Sequence, residues 1–181
     1  MLCTMAVIPN SSFLALLVFS IISQASKGFR LFSSSTISTN KETLHDYLAT
    51  PTHWPRVVLS SHSVVSPSFA KNPINTPLQV GDYVEEIFGL PPILPLSVVW
   101  QCVTSDMNRG ILEFYSKDGL PGFANECKMR FNIKETGTAR CSVELTMEFE
   151  SLNRIVPLAV PLLSIDNNFA LKILLPKAMS K

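Results

Sequence analysis

The chain has 181 residues, 46% of them hydrophobic, and a formal net charge of +1. This length favours one domain with a sizeable core, and the hydrophobic content excludes a disordered chain. Because the charges balance and no run of basic residues occurs, we expect no nucleic-acid partner.

An apolar run lies near the start of the chain. Residues 13–22 fall short of the ~20 residues that a membrane-spanning helix needs. The small residues of Ser23-Gln24-Ala25 follow, as at a signal-peptidase site, although no Lys or Arg precedes the run. The next stretch is basic and Ser-rich, which is typical of transit peptides. We therefore predict a leader over residues 1–28 that directs the chain into the secretory route, toward either secretion and the endomembranes or a plastid.

The predicted domain, residues 29–181, begins with a strand and short helical segments. Residues 29–37 can form the strand. Asn40 is a typical helix N-cap before residues 41–49, and Pro51 ends that helix. Residues 52–56 form a second short turn.

A series of strands separated by turns follows. We predict strands over residues 57–65, 80–88, 96–104 and 110–117, with a Pro- and Ser-rich loop over 66–79. Short turns between consecutive strands indicate an antiparallel meander. In the last two of these strands the apolar face contains Val98, Trp100, Cys102, Leu112 and Phe114.

The next two strands, residues 123–134 and 139–150, show strict alternation of apolar and polar residues. Each therefore has one buried and one wet face. We place the hairpin turn at Glu135-Thr136-Gly137, with Gly137 at a positive φ, so that Ile133 faces Ala139. In this register apolar residues meet apolar residues throughout.

A long apolar helix is predicted after Asn153, and we expect it to cover the apolar face of the sheet. Pro161 would cost about 3 kcal/mol inside a helix. The regular helix is therefore expected to start near Pro161, with residues 153–160 irregular or kinked, and Pro176 is expected to end or bend it. The residues predicted to face the sheet recur at three- and four-residue steps: Ile155, Leu158, Ala159, Leu162, Ile165, Phe169 and Ile173.

Known catalytic and metal-binding motifs do not occur in the sequence. It contains no glycine-rich phosphate loop, nucleophile motif or cofactor signature, so we expect no cofactor and no metal. His45 is expected on a helix surface and His53 in a turn. Of the four cysteines, Cys3 lies in the leader, and the other three are expected to be buried free thiols.

Two adjacent carboxylates draw attention in the strand over residues 80–88. Glu85 and Glu86 point to opposite faces of a strand, so they do not form a catalytic pair. If the protein transfers protons, the candidates are Glu85 and Tyr83, which share one face.

The order of elements resembles a known superfamily. Residues 44–48 (LHDYL), Trp54-Pro55-Arg56 and the closing strand with its apolar helix are similar to the START/birch-pollen-allergen (SRPBCC) superfamily, in its polyketide cyclase/dehydrase and lipid-transport branch. The resemblance covers residues 29–181. It implies an α+β helix-grip fold, in which a curved antiparallel β-sheet wraps around a long C-terminal helix, with two short helices after the first strand.

This resemblance implies a cavity between the sheet and the C-terminal helix. The expected guest is a hydrophobic small molecule such as a lipid, sterol, pigment or quinone, although the same side chains also suit a solid core. Trp54 is expected either to pack between the helices and the sheet or to line the cavity mouth. Asn125 and Ser116 interrupt apolar faces, where each would bind a ligand head group or a buried water. The candidate ligand-binding residues are Trp100, Phe114, Asn125, Met129, Phe131, Leu145, Met147, Phe149, Leu162 and Phe169.

Three functions fit this pattern. We expect binding or transport of a hydrophobic ligand rather than catalysis. The alternatives are a polyketide cyclase/dehydratase-like enzyme and a non-enzymatic interaction protein with a filled core. The apolar loop over residues 90–96 is a candidate for transient contact with a membrane or a partner, or it packs on its own protein. The sequence does not indicate an oligomeric state.

Overall fold

A seven-stranded antiparallel sheet organises the chain, with the strand order β1-β7-β6-β5-β4-β3-β2. The computed structural model describes residues 27–90 and 94–180. Most of the predicted leader lies outside the described residues, although β1 already begins at Lys27. The strands are β1 (Lys27–Ile37), β2 (Ser61–Val65), β3 (Tyr83–Leu90), β4 (Leu94–Asp106), β5 (Ile111–Ser116), β6 (Ala124–Gly137) and β7 (Arg140–Ser151).

Two groups of helices pack on this sheet. The first group follows β1, as predicted, and the second forms one long C-terminal helix, residues 156–179. The sheet is curled into a half-barrel against that helix, so the predicted α+β helix-grip fold is confirmed. The helices are α1 (Lys41–Ala49), a 3-10 turn (Pro51–His53), α2 (Trp54–Val57), α3 (Val156–Phe169), a π-helical turn (Ala170–Leu174) and α4 (Leu175–Met179).

The first helix begins where the sequence predicts. The Asn40 side chain accepts a hydrogen bond from the amide of Thr43 at 2.7 Å, as an N-cap should. His45, however, is only 3% exposed and lies on the inner side of α1 with Leu44 and Leu48, so the expected surface position is wrong. The reason is that His45 follows Leu44 on a short helix whose buried side is wide enough to include it.

The predicted register of the last hairpin is wrong by four residues, although the predicted inward and outward faces of its two strands are right. Ile133 pairs with Val143 rather than with Ala139, and the turn lies between Gly137 and Arg140. Ala139 has the positive φ (50°) that was expected of Gly137. An even shift keeps every side chain on its face, so alternation alone does not distinguish these registers.

A β-bulge changes the start of β6. Glu126 has a φ of 51°, and the register with β7 shifts between Asn125 and Lys128. The extra residue brings Ala124 to the buried face. Phe123, which the sequence predicted on that face, lies just before β6, where it packs against the core and lines the cavity. Beyond the bulge, the predicted buried residues from Cys127 onward face the core.

The C-terminal helix begins at Val156 rather than near Pro161. The Asn153 side chain accepts hydrogen bonds from the amides of Ile155 and Val156, and Pro157 falls in the first turn, where no amide donor is needed. Pro161 is exposed, so the turn that loses a hydrogen bond faces water. The helix also continues through Pro176, preceded by the π-helical turn.

The predicted inner face of this helix is wrong at five of its seven residues, whereas Ala159 lines the cavity and Phe169 is half-buried. Ile155, Leu158, Leu162, Ile165 and Ile173 are between 50% and 77% exposed. The helix is apolar on both sides, so its hydrophobic periodicity fits either rotation. The residues that face the sheet and the core are Val156, Val160, Leu163, Ala170, Leu171, Leu174 and Leu175.

Polar contacts fix the observed rotation of the helix. Asp166 accepts hydrogen bonds from the Leu59 amide at 3.1 Å and from the Ser60 hydroxyl. Two residues further along the helix, the Asn168 side chain accepts a hydrogen bond from the Ser33 hydroxyl of β1 at 3.1 Å. Turning the outer face inward would leave these polar groups without their partners, at a cost of about 1–3 kcal/mol each.

Candidate ligand-binding cavity

A cavity of about 320 Å³ lies between the sheet and the C-terminal helix. Strands β3, β4, β6 and β7 form one wall, and α1, α2 and the C-terminal helix form the other. The lining is apolar except at a few positions. Its large side chains include Leu48, Trp54, Val57, Phe88, Val98, Trp100, Met129, Phe131, Leu145, Met147, Phe149, Val156, Leu163, Leu171 and Leu175.

Six of the ten candidate ligand-binding residues lie in this wall. They come from β4 and from the adjacent strands β6 and β7, whose inward positions alternate with outward ones. Whether they contact a ligand stays a prediction. They are Trp100, Met129, Phe131, Leu145, Met147 and Phe149.

The other four candidates lie outside the cavity wall. Phe114 is fully buried and its ring meets that of Trp54 edge-on, with 5.1 Å between centroids. Leu162 is 68% exposed on the outer side of the helix, and Phe169 is half-buried. Asn125 precedes the β6 bulge, where its side-chain oxygen is buried without a hydrogen-bond partner among the described residues.

Two further residues weighed from the sequence have definite places. Trp54 packs between the helices and the sheet, in line with one of its two expectations: its indole N–H donates a 2.9 Å hydrogen bond to the Leu48 carbonyl of α1, and its ring contacts that of Phe114 on β5. It also lines the cavity. The Ser116 hydroxyl accepts a hydrogen bond from the Gly119 amide at 3.1 Å and so closes a turn.

One buried carboxyl group gives the cavity a polar point. Glu86 is 3% exposed, and its Oε2 atom accepts a hydrogen bond from the indole N–H of Trp100 at 3.0 Å. Both residues face inward from adjacent strands, because Glu86 alternates with Val84 and Phe88 along β3. A ligand in the cavity would therefore meet a mostly apolar wall that contains one fully buried carboxyl group.

Burial governs the charge of this group. Loss of hydration raises the pKa of Glu86 to about 7. Interactions with the side chains of Ser61 and Trp100 favour the ionised form and oppose this rise, whereas the nearby carboxylate of Asp166 adds to it. Near neutral pH the carboxyl group is therefore present in both its protonated and its ionised form, as a general acid or base requires.

The sequence pointed to the wrong glutamate. Glu85 and Tyr83, the predicted proton-transfer candidates, lie on the opposite face of β3 and do not line the cavity. Tyr83 packs edge-on against Phe69, with 5.2 Å between ring centroids. The signal for Glu86 was present in the sequence, because it stands two residues from both Val84 and Phe88.

A cluster of polar side chains also lies where the C-terminal helix meets the sheet. Asp166, Ser60 and Asn167 line the cavity, and Asp166 is bound by the Ser60 hydroxyl and the Leu59 amide. The Asn167 amide approaches the Met147 sulfur atom at 3.1 Å. These contacts hold the C-terminal helix over the cavity.

Thiol and metal chemistry have no support in the described part of the chain. Cys102, Cys127 and Cys141 are buried free thiols, as expected. Burial raises the pKa of Cys102 to about 12 and that of Cys127 to about 11, so neither is a thiolate at neutral pH. Residues 27–90 and 94–180 contain no cluster of three or more His, Cys, Asp or Glu that could hold a metal ion.

The curled sheet, the long closing helix and the cavity between them define a helix-grip protein. Solved structures with this fold include a major latex-like protein from Panax ginseng, which is 16% identical, with a TM-score of 0.58 and with 79% of this chain and 95% of that chain covered. No family model and no curated protein matches the sequence.

Two enzymes share the same architecture. Norcoclaurine synthase from Thalictrum flavum is 12% identical, with a TM-score of 0.63 and coverage of 86% of this chain and 88% of that chain. The Zhui aromatase/cyclase from Streptomyces sp. R1128 is 10% identical, with a TM-score of 0.63 and coverage of 84% and 94%. All three neighbours are members of the START/birch-pollen-allergen superfamily, and this chain has their fold.

Proposed function

We propose that this protein binds a hydrophobic small molecule in the cavity and carries or stores it there. The observation that supports this most is the apolar, partly enclosed space of about 320 Å³ beneath the C-terminal helix. Small-molecule sites in proteins typically occupy roughly 300–1,000 Å³ and are lined by apolar side chains with a few polar ones. The third alternative from the sequence, an interaction protein with a filled core, is disfavoured by the same space.

The lining suggests what kind of molecule fits. Aromatic rings of Trp54, Trp100 and Phe131 and the flexible side chains of Met129 and Met147 offer a large polarisable surface. Glu86 supplies one fixed polar contact among them. The proposed ligand is therefore a mostly hydrocarbon or aromatic molecule of modest size with one hydrogen-bonding group.

Native mass spectrometry of the purified protein tests this proposal. We expect a bound apolar molecule that is displaced by 1-N-phenylnaphthylamine, an uncharged fluorophore that brightens in apolar surroundings. A protein that carries no adduct and gives no fluorescence increase with this probe would contradict the proposal, because an accessible apolar cavity should accept the probe.

Catalysis is a second candidate, and Glu86 is the observation that favours it. A buried carboxyl group with a pKa near 7, at the edge of an apolar cavity, is suited to transfer protons. Two of the structural neighbours are named as a synthase and an aromatase/cyclase. In this reading the protein is a cyclase or dehydratase acting on a polyketide-like substrate, with Glu86 as the acid or base.

The two candidates differ in their response to one substitution. If the protein is an enzyme, Glu86→Gln should abolish turnover of a polyketide-type substrate analogue and leave phenylnaphthylamine binding within about twofold. Glu85→Gln on the opposite strand face is the matched control and should keep turnover. Equal turnover in wild type and Glu86→Gln would exclude Glu86 as the acid or base.

The cellular route remains a proposal from the sequence. Residues 1–28 have the composition of a signal or transit segment, which would deliver the domain to the secretory route or to a plastid. Mass spectrometry of the mature N-terminus tests this: we expect it near residue 28, and an intact Met1 would contradict cleavage.

A further inference from the structure

The outer face of the C-terminal helix is apolar and exposed. Ile155, Leu158, Leu162, Ile165 and Ile173, which we call the outer stripe, are 64%, 77%, 68%, 63% and 50% exposed. They follow one another at three- and four-residue steps over most of the stripe, so they share one side of the helix. From residue 155 to residue 165, every exposed residue is apolar.

A helix that covers a core normally presents a polar face to water. Here the inner face already packs against the sheet and lines the cavity, so the outer stripe is a second apolar face. Leu59, which donates its amide to Asp166 of the same helix, is a further exposed apolar residue, with 67% of its surface accessible. Contiguous exposed apolar surface of this kind marks a site of contact with a protein or a membrane.

The charges that border the outer stripe are positive. Arg154 precedes it, and Lys172 and Lys177 lie toward its other end; all three side chains are exposed. The one carboxylate among residues 153–180 is Asp166, which is turned inward to the Leu59 amide and the Ser60 hydroxyl. An apolar stripe with exposed cations toward both ends of its own helix is complementary to a lipid surface with anionic head groups.

The contacts of the inner face argue for lying on a membrane rather than crossing it. The 24-residue helix over Val156–Met179 is long and apolar enough to span a bilayer by length and composition alone. However, Asp166 is bonded to Ser60, Asn168 is bonded to Ser33 of β1, and Leu171 is buried. A span would have to break these contacts, whereas surface docking keeps them.

We propose that the outer stripe docks this protein on an anionic lipid surface, with the C-terminal helix lying in the membrane interface. The basic residues at both ends of the stripe meet the head groups, and the aliphatic side chains enter the acyl boundary. The cavity lies on the other side of the same helix, whose diameter is roughly 10 Å. Docking therefore brings the cavity next to the lipid, independently of what the cavity holds.

Sedimentation of the full chain with vesicles tests this proposal. The vesicles are phosphatidylcholine alone or phosphatidylcholine with phosphatidylserine. We expect Leu158→Gln combined with Leu162→Gln to weaken binding to the mixed vesicles by at least about tenfold, because two aliphatic side chains lose their burial. Phe32→Gln is the matched control, since Phe32 is 59% exposed on β1, and it should bind as wild type does.

Substituting the two lysines tests the proposal independently. Lys172→Gln and Lys177→Gln should each weaken binding to the mixed vesicles by roughly fivefold, the effect expected for one basic residue near an anionic surface. Binding to phosphatidylcholine alone should not change. The apolar leader residues 13–22 are the same in every variant, so differences between variants report the helix.

Several results would overturn the proposal. Equal pelleting of wild type and the Leu158/Leu162 double variant would assign membrane binding to another segment, such as residues 13–22. Absence of wild-type binding to both kinds of vesicle would exclude a lipid surface. A wild-type dimer in sedimentation velocity that the double variant abolishes, without a change in vesicle binding, would make a second copy the occupant instead.

Discussion

Replacing Glu86 by glutamine should remove most of one pH-dependent cost of folding. Glu86 is buried, and its side chain accepts a hydrogen bond from Trp100, which the carbonyl oxygen of glutamine can also accept. The substitution therefore keeps the shape and the hydrogen bond and removes the ionisation. We expect the variant to be more stable than wild type at pH 8 and nearly equal to it at pH 4.

The magnitude follows from the pKa. Burial raises the pKa of Glu86 from 4.5 to about 7, so between these values the folded protein binds more protons than the unfolded chain. Its stability consequently falls as the pH rises through this window, and the loss is complete above about pH 7. Each unit of pKa shift corresponds to about 1.4 kcal/mol, so the loss of stability amounts to about 3 kcal/mol.

Urea unfolding of wild type and Glu86→Gln at several pH values between 4 and 8 measures this effect. The difference in unfolding free energy between the two proteins isolates Glu86, because other titrating groups cancel. We expect the difference to grow by about 3 kcal/mol in favour of the variant across the range. A difference that stays flat from pH 4 to pH 8 would refute the reasoning.

Three further substitutions test separate parts of the structure. Trp100→Phe removes the hydrogen bond that favours ionised Glu86, so it should destabilise the protein by about 1–3 kcal/mol. In urea titrations the loss of stability should be larger at pH 8 than at pH 5. An equal loss at the two pH values would contradict this. Asn40→Ala removes the N-cap of α1 and should cost about 1 kcal/mol in the same assay, whereas no loss would exclude the cap. Gly110→Ala should lower the free energy of unfolding by about 2 kcal/mol or more, because Gly110 has a φ of 67° and a Cβ there would collide with the Ile133 carbonyl oxygen. A variant that melts at the wild-type temperature would disprove the collision.

The strand faces were predictable because burial on one side of a sheet forces a period of two. Met129, Phe131 and Leu145 all reach the cavity wall from that pattern alone. The register was not predictable to the same degree. Ile133 meets Val143 or Ala139 with equally apolar faces, and only the turn geometry at Gly137–Arg140 decides between them.

The orientation of the C-terminal helix could not be predicted from its hydrophobic pattern, for a similar reason. The helix has two apolar sides, and the pattern at Ile155, Leu158 and Leu162 is as regular as the one that is buried. The choice depends on Asp166 and Asn168, whose partners are distant in the chain, at Ser60 and Ser33. Such tertiary contacts are not visible in local periodicity.

Glu86 shows the reverse case, in which the local periodicity indicated the correct strand face. Its neighbours two residues away, Val84 and Phe88, indicate an inward position. A buried carboxylate is costly, so a glutamate is normally assigned to the wet face. The cost is lowered here by the Trp100 indole and by protonation, both of which become apparent only when the strands are paired.

The most direct test of a guest-binding cavity compares two neighbouring residues of the C-terminal helix. Leu163 lines the cavity, whereas Leu162 is exposed on the other side. In a phenylnaphthylamine titration, Leu163→Trp should weaken binding at least about tenfold because the larger side chain occupies the space of the guest, and Leu162→Trp should bind as wild type does. Equal affinity in the two variants would mean that the probe binds elsewhere, and the cavity would lose its proposed role.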